Sequence, residues 1–271
     1  MQLVELQNIA ATLDEHGIAP FAISYDSVDT LAAFAAKYGI GFPLLADEGS
    51  KVITALGMLD EHLDKHHAEM GGTVRDDQRG VCYPGVFLID ERGVVTQRRF
   101  QRNYRVRESG AALLELALGI TPSQPPTGVE LPRPRVLIRA HVDSPTYWRY
   151  QRLYVIVDLE IAAGSHVYAP PTPKDYVSLS VDLSGNALEA GAPLLPDATP
   201  FHIEGPDEQF WVYDGRVRIV VPFEFILQRG DDMGERTVNV QVRYQSCDEA
   251  TCDPPDEARF DLQVNERPAA D

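Results

Sequence analysis

Two segments of opposite pattern predict the fold class, an α/β domain followed by an all-β domain. Over roughly the first 120 residues, amphipathic helical stretches alternate with short apolar strands, the order of an α/β layered unit. The remainder reads as strand after strand separated by turn-rich connections, the pattern of a β-sandwich of immunoglobulin-like kind. Between them, Pro122, Pro125, Pro126, Pro132 and Pro134 lie among Ser, Thr and Gly. That composition reads as a semi-rigid linker with no regular element of its own. The expected organisation is a first domain over 1–121, a linker over 122–134 and a second domain over 135–266.

Leu3, Leu6, Ile9, Ala10 and Leu13 recur at helical spacing, so the chain opens in an amphipathic helix with no cap before it. Ile18 to Ser24 is a short apolar strand. Ser27 and Asp29 can cap a helix from Val28 to Tyr38, with Leu31, Phe34 and Ala35 inward. Phe42 to Leu45 is extended, and a helix follows from Ser50 to Leu56. Val86–Asp90 and Val94–Phe100 form a hairpin around Glu91-Arg92-Gly93. A helix from Ser109 to Leu118 closes the unit. In the second domain, strands are expected at Arg135–His141, Leu153–Ile161, Val177–Asp182, Val217–Leu227, Thr237–Tyr244 and Ala258–Val264. Val238, Val240, Val242 and Tyr244 give the cleanest period-two alternation.

With 271 residues, 44% of them hydrophobic, the chain has enough apolar material for two real cores. A formal net charge of −17 argues against binding nucleic acid, which needs a basic face to displace counterions. It also argues against docking on anionic lipid. No apolar run reaches the roughly 20 residues of a membrane helix, so no membrane insertion is expected. Met1 to Gly17 lacks the basic and continuous apolar regions of a secretory signal and carries Glu5, Asp14 and Glu15.

The chemistry-bearing feature is Tyr244-Gln245-Ser246-Cys247-Asp248-Glu249-Ala250-Thr251-Cys252-Asp253-Pro254-Pro255. Cys247 and Cys252 are two of only three cysteines and follow directly on a strand. Their spacing lets the ends of a tight loop meet at disulfide distance, about 5.5–6 Å between Cα atoms. Closing so short a loop adds little stability, since the entropic gain of a cross-link grows with loop length. The pair therefore reads as a thiol–disulfide exchange site, with a static structural disulfide as the main competitor. Half of a zinc site is the weaker reading, because no second Cys or His pair lies at ligand spacing. Asp248, Glu249 and Asp253 are expected to surround the sulfurs with negative charge and to raise the thiol pKa.

His62 and His66 are four residues apart, with Glu61 and Glu69 around them, but no third ligand is placed. A solvated polar insertion accounts for them better than a metal site. No nucleophile-elbow sequence and no Gly-rich phosphate loop appears. No metal or organic cofactor is expected.

The C-terminal half resembles the N-terminal domain of the thiol:disulfide interchange protein DsbD. The resemblance rests on Gly164-Ser165-His166-Val167-Tyr168-Ala169, on Val212-Tyr213-Asp214-Gly215, and on Tyr244 through Cys247 with Cys252-Asp253-Pro254-Pro255. It implies a domain whose cysteines pass electrons between a membrane thiol reductase and thioredoxin-fold redox proteins outside the cytoplasm. Cys247 and Cys252 are then the reacting pair, in an order the resemblance leaves open, with Tyr244 in support. Phe210 and Trp211 either belong to a loop shielding the sulfurs or fill the sandwich core, the second being the simpler role.

The first 120 residues resemble the redoxin family of AhpC/TSA type. The matching residues are Leu3 to Gln7, Ile23 to Asp26, Phe42 to Asp47, and Tyr83-Pro84-Gly85 followed by Val86 to Asp90. The resemblance implies a thioredoxin fold and a cis bond between Tyr83 and Pro84. In that family the active-site cysteine opens the helix in which Met1 lies, after the central strand of the sheet, and both are missing from this sequence. The expectation is a start upstream of Met1, with a scaffold domain that has lost its redox centre as the alternative. Without the central strand, Ile18–Ser24 and Val86–Asp90 either keep unpaired edges or pair directly. Cys82 would sit near the vacated site, as a buried inert thiol by default or a surrogate redox group. The rival functions are a peroxiredoxin whose catalytic cysteine precedes Met1, and a binding module in which Cys247–Cys252 is a static clip.

Overall fold

The computed structural model describes residues 2–69, 72–100, 106–120, 128–202, 209–227 and 230–267. The chain divides into two compact units, Met1–Leu118 and Gly119–Asp271.

The first unit interleaves helices with short strands. The opening helix is broken into α1 (Gln2–Asn8) and α2 (Ala10–Glu15). Its buried residues are Glu5 and Leu13 rather than an unbroken apolar stripe. Glu5 is buried because its carboxylate accepts the Gly110 N–H at 2.9 Å, at the start of the last helix of the unit. Such an orphan N–H at a helix start is a favourable partner for an acid. Strand β1 (Ala22–Ser24) is shorter than expected, since Pro20 has no N–H to give a ladder. α3 (Val28–Tyr38) starts and stops where its sequence says: Ser27 Oγ accepts the Thr30 N–H, and Gly39 ends the helix at φ 65°. β2 (Leu44–Ala46) runs parallel to β1, with Ala22 opposite Leu44. α4 (Lys51–Ala55) and α5 (Leu63–Glu69) follow.

β3 (Gly85–Ile89) and β4 (Val95–Phe100) form the expected antiparallel hairpin, with Asp90 Oδ1 accepting the Arg92 and Val94 N–H groups in the turn. Among the described residues β1 and β3 do not pair with each other; each belongs to its own two-stranded sheet. The short β5 (Arg107–Glu108) places the Glu108 carboxylate 2.6 Å from Arg99 Nε. Ser109 caps α6 (Gly110–Ala112), which continues as a π-helical turn over Leu113–Ala117. The bond between Tyr83 and Pro84 is trans, correcting the expectation of a cis bond; the cis bond among the described residues joins Pro170 to Pro171. Trans is the intrinsically favoured isomer of an X–Pro bond unless the surroundings enforce the other.

The second unit is built of strands. β6 (Val129–Pro132) lies inside the stretch read as linker and pairs with β7 (Val136–Val142). Its one proline, Pro132, is tolerated because β6 is the edge strand of its sheet, where a missing N–H breaks no ladder. Pro122, Pro125 and Pro126 of that stretch lie outside the described residues. β8 (Thr146–Tyr147), β9 (Gln151–Ile161) and β10 (His166–Tyr168) follow. Next come β11 (Ser180–Ser184), β12 (Leu188–Ala190), β13 (Thr199–His202) and β14 (Gln209–Tyr213). The chain ends in β15 (Arg216–Phe225), β16 (Arg236–Tyr244), β17 (Ser246–Cys247) and β18 (Asp256–Glu266).

One sheet runs β12-β15-β9-β7-β6 and a second runs β11-β16-β18-β8. Strands β7, β15, β16 and β18 each bury alternate residues, so each sheet turns one apolar face inward. Ile138, Val157, Leu159 and Ile219 of the first sheet join Val240, Val242, Phe260 and Val264 of the second in one buried cluster. Two sheets sharing one core is the layout of a β-sandwich. A third, smaller sheet runs β13-β14-β10-β17 and carries the cysteine pair.

Candidate functional site

The site is assembled on β10. On one side it pairs antiparallel with β17, setting His166 opposite Cys247 and Val167 opposite Ser246. On the other it pairs with β14, setting Tyr168 opposite Val212. Cys247 is 1% exposed and joins Tyr168, Phe210 and Val212 in a small apolar cluster, with Tyr176 and Phe201 packed against it. Cys252, by contrast, is exposed. The two are bonded as a disulfide with their Cα atoms 4.0 Å apart. That is closer than the spacing expected from sequence, because the cysteines face each other as a bridge pair of antiparallel backbone.

Gln245, Ser246, Asp248, Thr251 and Asp253 hold the cysteine loop together. Asp248 N–H donates to the Thr251 carbonyl at 2.9 Å, and Asp253 N–H to the Ser246 carbonyl at 2.8 Å. Asp248 Oδ1 accepts the N–H groups of Ala250 and Thr251 at 2.8 and 2.7 Å. These backbone donors, with Arg135 adding to them, hold the Asp248 carboxyl below the usual carboxylate range. Buried Gln245 donates to the Asp253 carbonyl and accepts the Val177 N–H, fixing both ends of the loop. Ser246 Oγ donates to Asp253 at 2.9 Å. Tyr244 lies at the base, buried, its hydroxyl donating to Asp256 at 3.0 Å. Burial and the Asp256 hydrogen bond push the Tyr244 phenol well above its ordinary value, so it stays protonated.

Arg135 was not legible as part of the site. Its guanidinium reaches Asp248 at 3.0 Å and Asp253 at 3.1 Å and donates to the Thr251 carbonyl at 3.2 Å. One arginine thus clamps two of the three acidic residues of the loop, Asp248 and Asp253, and partly offsets the negative charge expected around the sulfurs. Sequence reasoning had no signal for this contact, since Arg135 and Thr251 are 116 residues apart.

Tyr168 was quoted only as part of a motif, yet its hydroxyl lies 3.5 Å from both Cys247 Sγ and Cys252 Sγ. Its ring is fixed by Tyr176 at 4.9 Å and Phe210 at 5.5 Å. Burial, then the neighbouring Tyr176, raises the Tyr168 phenol above its ordinary value, leaving a neutral hydroxyl beside the sulfurs. Phe210 is fully buried against Tyr168, while Trp211 on the opposite face packs against the main sandwich core. The segment 203–208 before them lies outside the described residues.

The remaining candidates belong to the first unit. Cys82 is a free, half-buried thiol whose backbone bridges Leu59. Desolvation raises its pKa, with Arg107 pulling the other way, so it is a poor thiolate at neutral pH. Tyr83 N–H donates to the Met58 carbonyl at 2.7 Å, and its ring packs edge-on to Phe100 at 5.7 Å. Pro84 leads into β3. His66 Nδ1 lies 3.0 Å from the buried Asp60 carboxylate, which also accepts the His62 N–H. No helix among the described residues is long and apolar enough to cross a membrane.

Residues 1–98 match the model of the AhpC/TSA family. Residues 140–264 match the model described as thiol:disulfide interchange protein DsbD, N-terminal. No curated protein matches the chain. Among solved structures, the N-terminal periplasmic domain of ScsB from Proteus mirabilis aligns at 13% identity and TM-score 0.35, over 51% of this chain and 49% of that one. The chain therefore spans about half the length of that relative. The yeast GGA1 GAE domain aligns at 8% identity and TM-score 0.28, over 49% of this chain and 96% of that one. AggA, the major subunit of aggregative adherence fimbriae type I from Escherichia coli, aligns at 10% identity and TM-score 0.25, over 49% of this chain and 95% of that one. The chain thus joins a segment similar to the AhpC/TSA redoxins to a segment similar to the N-terminal part of DsbD, two families of thiol–disulfide redox proteins.

Proposed function

We propose that the protein is a thiol–disulfide oxidoreductase that exchanges electrons through Cys247 and Cys252 with thioredoxin-fold partners, in an immunoglobulin-like domain over 135–266. The observation that carries this reading is the asymmetry of the pair: one cysteine is an exposed residue and the other is walled in by Tyr168, Phe210 and Val212. Exchange requires a thiolate to approach a disulfide sulfur. Only Cys252 is open to that approach, so it forms the mixed disulfide with the partner. Cys247 is reachable from Cys252 alone and resolves it. The first domain, over 1–121, is a redoxin-type module, and fusion raises the effective concentration of one domain near the other, to about mM.

Two single variants, taken in the reduced form, test the assignment with the disulfide-linked dimer of a Cys-x-x-Ser peptide as partner. Cys252→Ser should form no mixed disulfide. Cys247→Ser should form one and accumulate it, visible as a mass increase by intact-protein mass spectrometry. Trapping by Cys252→Ser instead would reverse the roles, and unaltered exchange by both would end the proposal. A static clip is separated by redox titration: an exchanging pair should equilibrate at about −180 to −270 mV, and a structural one below about −300 mV.

A further inference from the structure

We propose that His166 is the proton relay of the cysteine pair, taking the proton from Cys247 as it resolves the mixed disulfide. This rests on the exchange chemistry proposed for Cys247 and Cys252.

Three observations converge on His166. It is the direct antiparallel partner of Cys247, so both side chains project from the same face of the small sheet. Cβ atoms of such pairs are about 4.5–5.5 Å apart. Second, the imidazole is 7% exposed and fixed between two rings, Tyr168 at 5.6 Å and Phe201 at 4.4 Å. Tyr168 is the same residue whose hydroxyl lies 3.5 Å from both sulfurs. Third, His166 Nε2 is buried and has no hydrogen-bond partner. A buried polar atom left unpaired is costly and rare, and among its accepted explanations is a catalytic role.

The charges around the ring set its direction of use. Asp214, after β14, and Asp248, after β17, favour the imidazolium, while Arg135, before β7, opposes it. Burial outweighs them and holds the ring below its ordinary pKa. The imidazole is therefore neutral at pH 7 and available as a base. Its other titratable neighbours on this face are the Tyr168 phenol, which stays protonated, and Cys247 itself.

The step balances as follows. In the dithiol form, Cys252 gives its proton to solvent and its thiolate attacks the disulfide of a Cys-x-x-Cys partner. The partner S–S bond breaks, its electron pair leaving on one partner sulfur, which takes a proton from solvent. Cys247 Sγ then attacks Cys252 Sγ while its proton passes to His166. The bond from Cys252 to the partner breaks, and the pair leaves on the second partner sulfur, which is protonated as the imidazolium returns its proton to solvent. Two thiols of this chain are oxidised to one disulfide, and one partner disulfide is reduced to two thiols.

The test is a quenched-flow measurement of mixed-disulfide resolution by the reduced full-length protein with an oxidised Cys-x-x-Cys peptide, from pH 5 to pH 9. His166→Gln and His166→Phe should lose on the order of a hundredfold in resolution rate at pH 7. Both should recover toward the parent rate as pH rises to 9, where hydroxide takes over from the imidazole as proton acceptor. Near-UV circular dichroism identifies a variant that fails to fold, and the remaining one decides. Variants that fold and keep the parent pH profile overturn the role of His166 while leaving the exchange reading intact. If Cys247→Ser and Cys252→Ser leave exchange unaltered, the underlying reading falls instead.

Discussion

At the scale of single residues, the site is one asymmetric disulfide between the neutral Tyr168 hydroxyl and an acidic loop that Arg135 clamps. Two of the three carboxylates that crowd the loop in sequence are tied down, Asp248 by backbone N–H groups and Arg135, Asp253 by Arg135 and Ser246. Arg135→Gln should therefore free the loop. We expect a loss of about 1–3 kcal/mol in urea denaturation, the range for a hydrogen-bonded charged partner left unmatched. Faster alkylation of the reduced cysteine pair should accompany it. His166 gives a second residue-level prediction. Its pKa is depressed in the folded state, so between the folded value and the ordinary value near 6.5 the unfolded chain binds more protons. Its contribution to stability is present above the ordinary value and is lost as pH falls through the folded one. Urea midpoints measured from pH 7 to pH 5 should fall for the parent and fall less for His166→Gln.

At the scale of elements, local rules and tertiary rules divide the labour. α3 is fixed by its own ends, so Ser27→Ala should cost about 1 kcal/mol, read by thermal unfolding. β9 is fixed by what it faces. Leu159 is 1% exposed at the centre of the shared core, and Leu159→Ala should cost about 2–5 kcal/mol. A loss below 1 kcal/mol would mean that the two sheets do not share a tight core. The exposed cross-strand pairs Arg139–Glu160 and Arg218–Asp158 should contribute little beyond register, since solvent screens them.

At the scale of the whole molecule, the two units differ in how completely their strands are covered. Strands of the sandwich bury alternate residues to within a few percent, whereas β1 and β3 bury none of theirs fully. Hydrogen exchange should accordingly be slowest in β9, β15 and β16 and fastest in β1, β2 and β3. Uniform protection across both units would contradict this.

The sequence by itself determined the two-part organisation, because hydrophobic periodicity is a local property: period two in Val238 to Tyr244, helical spacing and a serine cap at Val28 to Tyr38. It also determined which cysteines meet, since a four-residue loop brings its ends together whatever surrounds it. Short strands such as β10, β13 and β17 escaped notice because three or four residues carry too little pattern. β6 escaped because its proline is acceptable only on an edge, and being an edge is a fact about neighbours. Only the tertiary structure decided that Cys247 is shielded and Cys252 open, that Arg135 clamps the acidic loop, and that His166 stands across from the buried sulfur. Those relations join residues far apart in the chain, and the physical forces that set them, burial and charge compensation, act through space rather than along the sequence.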